Sequence, residues 1–109
     1  MTDGGKSRAM ISQPMGGVSD VEIRIVRDRA FAELQEKGYR VVNTLFSDFP
    51  DDYPGELYRN GPLFFLANSL LAMSSCDAVY FCEGWENARG CRIEHEAAVA
   101  YGLNILYET

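Results

Sequence analysis

Four short apolar runs alternate with three segments of helical period along this chain, and that alternation leaves few folds open. Arg-Ala-Met-Ile-Ser at 8–12 reads as a first strand that runs into the sharp loop Gln13-Pro14-Met15-Gly16-Gly17. Ser19 and Glu22 have the spacing of a capping box, and behind them Ile23, Val26, Ala30 and Leu34 recur at helical spacing up to Gly38. Residues 39–43 form a second strand, and 45–60 a loop rich in Asp, Pro and Tyr. Gly61-Pro62 opens a second helix over 63–74, with proline where its missing N–H costs nothing. Residues 77–82 make a third strand, 90–101 a third helix closed by Gly102, and 104–107 a last strand. The order β-α-β-α-β-α-β predicts right-handed crossovers. It implies a three-layer α/β/α sandwich on a mostly parallel sheet of four to five strands, Rossmann-like in class.

A chain of 109 residues supports one hydrophobic core. Residues 1–7 are expected to be a disordered lead, and 8–109 a single domain. The net charge of −6 argues against an extended phosphate-binding face, so nucleic acid is not expected as a partner. A small nucleotide is not excluded, because it needs only local N–H groups or one or two cations. The longest apolar run, 63–67, is too short for a membrane span, and no leader is visible, which predicts a cytoplasmic protein.

Cys76, Cys82 and Cys91 are odd in number and lack the paired spacing of a zinc site, so they read as reduced, buried small side chains. Cys91 has a second reading as a nucleophile, since it sits at a helix start one turn from His95, the sole histidine. Asp48, Asp51, Asp52 and Glu56 match no calcium pattern and read as a solvated loop. No metal and no cofactor is expected.

In open parallel sheets a ligand meets the carboxyl ends of strands, where helix N-termini offer free N–H groups. Cys76 to Glu96 supplies such a place: a strand, a polar loop bounded by Gly84 and Gly90, then a helix with a carboxylate in its first turns. Glu94 is either the ligand-facing carboxylate or an ordinary acid near the positive helix end. Helical spacing assigns Ile93, Ala97 and Ala100 to the face toward the sheet. It puts Glu94 on the flank with Ala97, Ala98 and Tyr101, and Glu96 in solvent. The loop Ser12-Gln13-Pro14-Met15-Gly16-Gly17 is a second candidate, as a cradle of N–H groups or as a tight turn. It lacks the Gly-x-Gly-x-x-Gly and Walker patterns. Trp85 either stacks on a base or closes the core; Glu86, Asn87 and Arg89 share its loop, and Arg89 and Arg92 are candidate phosphate ligands.

Two of these motifs also carry a likeness. Ile11-Ser12-Gln13-Pro14-Met15-Gly16-Gly17, and the long segment from Cys76-Asp77-Ala78-Val79-Tyr80-Phe81 through Gly84-Trp85-Glu86 and Gly90-Cys91 to Glu94-His95 and Ala98, resemble short uncharacterised proteins of bacteria and phages. Those proteins belong to the nucleoside 2-deoxyribosyltransferase-like superfamily, and the resemblance spans residues 9–107. It implies that Glu94, in Gly90-Cys91-Arg92-Ile93-Glu94, attacks an anomeric carbon, with Gly90 letting the sugar approach. It also implies a ligand contacted by Ser12, Gln13, Pro14, Met15, Gly16, Gly17, Asn68, Trp85, Glu86, Asn87, Arg89 and Gly90. Where the transferases carry a strand-one tyrosine and two aspartates, this chain has Met10, Ser69 (beside Asn68) and Ala88.

The expected function is binding of a nucleoside, nucleotide or nucleotide-derived metabolite, with cleavage or transfer at its N-glycosidic bond. The alternative is a non-catalytic binder, such as a sensor or a phage-type sequestering protein. The second helix is apolar nearly all round, from Leu63, Phe64, Phe65 and Leu66 to Leu70, Leu71 and Met73. A small domain has little with which to cover it, so a homo-oligomer through 61–74 is expected, as the resemblance also implies.

Overall fold

A computed structural model of the chain describes residues 7–42 and 59–109. Within them the order is β1 (Arg8–Ser12), α1 (Asp20–Glu36), β2 (Arg40–Val42), α2 (Gly61–Met73), β3 (Ala78–Phe81), α3 (Arg89–Ala100) and β4 (Asn104–Tyr107). The described strands make one parallel sheet in the order β2-β1-β3-β4. Residues 1–6 of the expected lead at 1–7, the end of the second strand at Asn43, and the acidic loop as far as residue 58 lie outside the described residues, while the Ser7 carbonyl accepts from the Arg40 N–H at 2.8 Å.

Local sequence explains the boundaries. The Ser19 side chain accepts from the Glu22 N–H at 3.2 Å and starts α1. Gly38, at φ 90°, then reverses the chain into β2. Asn60 caps α2 by accepting from the Leu63 N–H at 3.0 Å, with Pro62 in the first turn. One short element went unforeseen, a single 3₁₀ turn at Trp85–Asn87 entered through Gly84 at φ 89°.

Side chains alternate across the sheet, so each strand serves both layers. Ala9, Ile11, Ala78, Tyr80 and Cys82 face α1 and meet its buried Ala30 and Leu34. Met10, Val79 and Phe81 face the other way, against Met73 of α2 and Ala98 of α3. All four residues of β3 are buried, while the edge strand β4 is half open. Tyr80 and Phe81, both essentially inaccessible, each contribute roughly 1.5–3 kcal/mol through burial. No helix among the described residues is long and apolar enough to cross a membrane.

The strand order sets the position of the site. From β1 the chain crosses to β2 on one side, and from β3 it crosses to β4 on the other. The loops after β1 and β3 therefore diverge at the carboxyl edge and leave a crevice between them, the switch point at which open α/β sheets take ligands.

Candidate functional site

That crevice holds a cavity of about 810 Å³. Of the residues expected at a ligand, Ser12, Gln13, Pro14, Met15 and Gly16 line it from the first loop. Asn87, Arg89, Gly90 and Glu94 line it from the second loop and α3. Two loops separated by some seventy residues thus meet because β1 and β3 pair in register, with Ser12 opposite Phe81.

Glu94 is the centre of the arrangement. It is 8% exposed, and its Oε1 accepts a hydrogen bond from Ser12 Oγ at 2.5 Å. The Ser69 side chain, from α2, also favours the charged form of this carboxyl. Burial pushes the carboxyl above its ordinary value, and the two hydroxyls oppose that shift without cancelling it. The result is an oriented carboxylate with few competing charges. Gly90 adds open space at the start of α3, since a Cβ there would meet no protein atom within 4 Å.

The helix face inferred from spacing is corrected. The buried residues of α3 are Cys91, Glu94 and Ala98, one stripe at i, i+3 and i+7. Ile93 is 43% exposed, and Ala100 and Tyr101 are exposed as well. The helix is rotated so that small side chains and the carboxylate turn inward. The crowded carboxyl ends of β1 and β3 accept cysteine and alanine, and Ser12 satisfies the glutamate.

Four of the expected ligand residues do not line the cavity. Gly17, at φ 75°, serves the turn in which the Val18 N–H donates to the Met15 carbonyl. Asn68 donates through Nδ2 to the Phe64 carbonyl at 2.9 Å, along its own helix, and its neighbour Ser69 faces the site instead. Trp85 stacks on His95 at 4.1 Å and packs near Phe81, half-buried against the end of the core. Glu86 is exposed, and its carbonyl accepts from Arg92 Nη1 at 3.3 Å. Arg92 thus braces the turn and, unlike Arg89, is not a cavity residue.

The nucleophile reading of Cys91 loses its support. Burial, the largest influence on this thiol, pushes its pKa up and disfavours the thiolate. His95 instead pairs its Nε2 with the Tyr107 hydroxyl at 2.7 Å. Cys82 is still further from thiolate chemistry, pushed up to about 12, mainly by burial.

Several cavity residues were missed, among them Asn60, Pro62, Phe65 and Leu66 around the start of α2, and one charged side chain. Arg27 of α1 lines the wall opposite Glu94's helix, and burial lowers its pKa from the ordinary value. A signal existed in the chain: Arg27 lies four residues beyond Ile23, on the side of the amphipathic helix that faces the sheet end. Among the described residues no group of three or more His, Cys, Asp or Glu is arranged to hold a metal ion.

No curated protein and no solved structure matches this chain. A family model described as a domain of unknown function, DUF4406, matches residues 7–107, which takes in both loops, Glu94 and every strand. The chain belongs to the DUF4406 family.

Proposed function

We propose that the cavity binds a nucleoside, nucleotide or nucleotide-derived metabolite, and that Glu94 acts at its N-glycosidic bond. One observation carries the reading: a carboxylate more than nine-tenths buried, bonded by the Ser12 hydroxyl, on the wall of a cavity at the sheet's switch point. The resemblance to nucleoside 2-deoxyribosyltransferase-like proteins of bacteria and phages supplies the substrate class. It also fits action in the cytoplasm.

The chemistry needs little beyond Glu94. Its ionised oxygen forms a bond to the anomeric carbon as the C–N bond breaks, and the base leaves with the electron pair and takes a proton from water. Water then attacks the glycosyl ester, releasing the sugar and restoring the carboxylate. Ser12 and Ser69 keep the carboxylate oriented through both steps. Because burial raises Glu94's pKa, the acid limb of the rate profile should lie above the ordinary carboxylate range.

The test is chromatography of a nucleoside and nucleotide panel after incubation with protein. Free base should accumulate with the wild type, and Glu94→Gln should abolish it. Ligand retained by both proteins with no base released would replace turnover by binding alone. For assembly, we propose that α2 packs against a second copy: Leu63, Ala67 and Leu71 form an exposed stripe on a helix without a charged residue.

A further inference from the structure

The cavity's two polar walls differ in what they leave unsatisfied. On the α3 side, Glu94 is served by Ser12 and Ser69. On the α1 side, Gln13 is 7% exposed and donates through Nε2 to the Ile23 carbonyl at 2.7 Å. Its Oε1 is buried and has no hydrogen-bond partner among the described residues. The bond to Ile23 fixes the amide, because turning it over would set oxygen against oxygen. Oε1 is therefore an acceptor and cannot exchange roles with the amino end.

Arg27 follows Ile23 by one turn and lines the same wall. Its guanidinium offers only donors. A phosphate dianion is all acceptor, so it would oppose Oε1.

We infer that Gln13 is a specificity-determining residue whose Oε1 selects ligands carrying an N–H or O–H donor at the α1 wall of the cavity. The inference rests on the nucleoside reading of the site and deepens it. An unpartnered buried acceptor discriminates strongly, because a ligand without the donor leaves it unpaired in the complex as well. The donor has three sources in a nucleoside: an exocyclic amino group of the base, a ring N–H of the base, and a sugar hydroxyl.

Calorimetric titration of the full-length protein with nucleosides that lose one donor at a time separates these sources. Adenosine against purine riboside, cytidine against pyrimidin-2-one riboside, and guanosine against inosine each remove an amino group, and uridine against 3-methyluridine and inosine against 1-methylinosine each remove a ring N–H. The 2′-, 3′- and 5′-deoxyadenosines each remove one hydroxyl. One removal should weaken binding to the wild type by about tenfold to a hundredfold, and its place names the donor. That loss should vanish in Gln13→Met, which keeps the side-chain length but has no oxygen. If every removal changes the wild-type Kd by less than about twofold while the parents bind, the inference fails and the nucleoside reading stands. A loss that persists unchanged in folded Gln13→Met also overturns it. If none of the parent nucleosides binds, the inference and the functional reading fall together. The wild-type series decides even if the variant does not fold.

Discussion

Two helices on the same face of the sheet invert the usual relation between hydrophobicity and burial. α2 has no charged residue, yet Met73 is its one buried member, and Leu63 and Leu71 are 58% and 71% exposed. α3 carries two arginines, two glutamates and a histidine, yet it buries one glutamate and leaves Ile93 and Val99 43% and 57% exposed. The difference lies in what stands opposite each helix. α3 meets the carboxyl ends of β1 and β3, where space is tight and a serine hydroxyl waits. α2 meets β1 and α3 through a narrow strip, and Leu63, Ala67 and Leu71 stay exposed. Burial on this face follows partners in space rather than the hydropathy of the segment.

The sharpest way to break that comparison is to place an unpartnered charge in the α3 stripe. Ala98 is wholly buried against Met10, Val79 and Phe81, one helical turn beyond Glu94. Unlike Glu94 it has no hydroxyl facing it in the described structure. Ala98→Asp should therefore cost about 4 kcal/mol or more, enough to unfold a domain of this size, as urea denaturation will report. A folded variant with a near-normal midpoint would mean that the interior beneath α3 is far more hydrated than its packing indicates.

A smaller effect is expected at Glu94 itself, and its sign depends on pH. The folded-state carboxyl is raised above its unfolded value, so the folded protein holds the proton more tightly. Stability from that proton is complete below the unfolded value and is lost as pH rises through the folded one. Glu94→Gln removes the titration but keeps an acceptor for Ser12. At about pH 8 the variant should be the more stable, by on the order of 1 kcal/mol, and the gain should shrink toward about pH 4. Melting curves across that range check it. A constant difference at all pH values would show that the carboxylate is not strained by burial.

The inverted pair of helices also marks where the sequence was legible. α2 was readable at its start from Asn60, Gly61 and Pro62, because caps act through neighbours in the chain. β4 at Asn104–Tyr107 followed from Gly102 and a short apolar run. The rotation of α3 was not readable. Periodicity weighs side chains by hydropathy, and it turned Ile93 inward and Glu94 to the flank. What reversed the assignment was Ser12, 82 positions away, together with Ser69 on another helix. The same limit hid Arg27, which looks like any surface cation until the loop after β1 folds against its helix. Local chemistry located the site, and long-range contacts decided which side chains enter it.

The smallest expected effect on the monomer falls on α2, where it carries the most information about assembly. Leu71 is largely open to solvent, so Leu71→Glu removes little buried area and substitutes one good helix former for another. Its effect on the unfolding of an isolated chain should stay within about 0.5 kcal/mol. If the stripe of Leu63, Ala67 and Leu71 packs against its twofold mate, however, each buried leucine contributes roughly 1.5–3 kcal/mol, and the symmetry counts it twice. The same substitution then sets two carboxylates against each other in an apolar contact. Sedimentation at micromolar concentration should show a dimeric wild type and a monomeric, folded Leu71→Glu. A wild type that sediments as a monomer would end the pairing proposal, and the exposed stripe would then be a feature of the free chain.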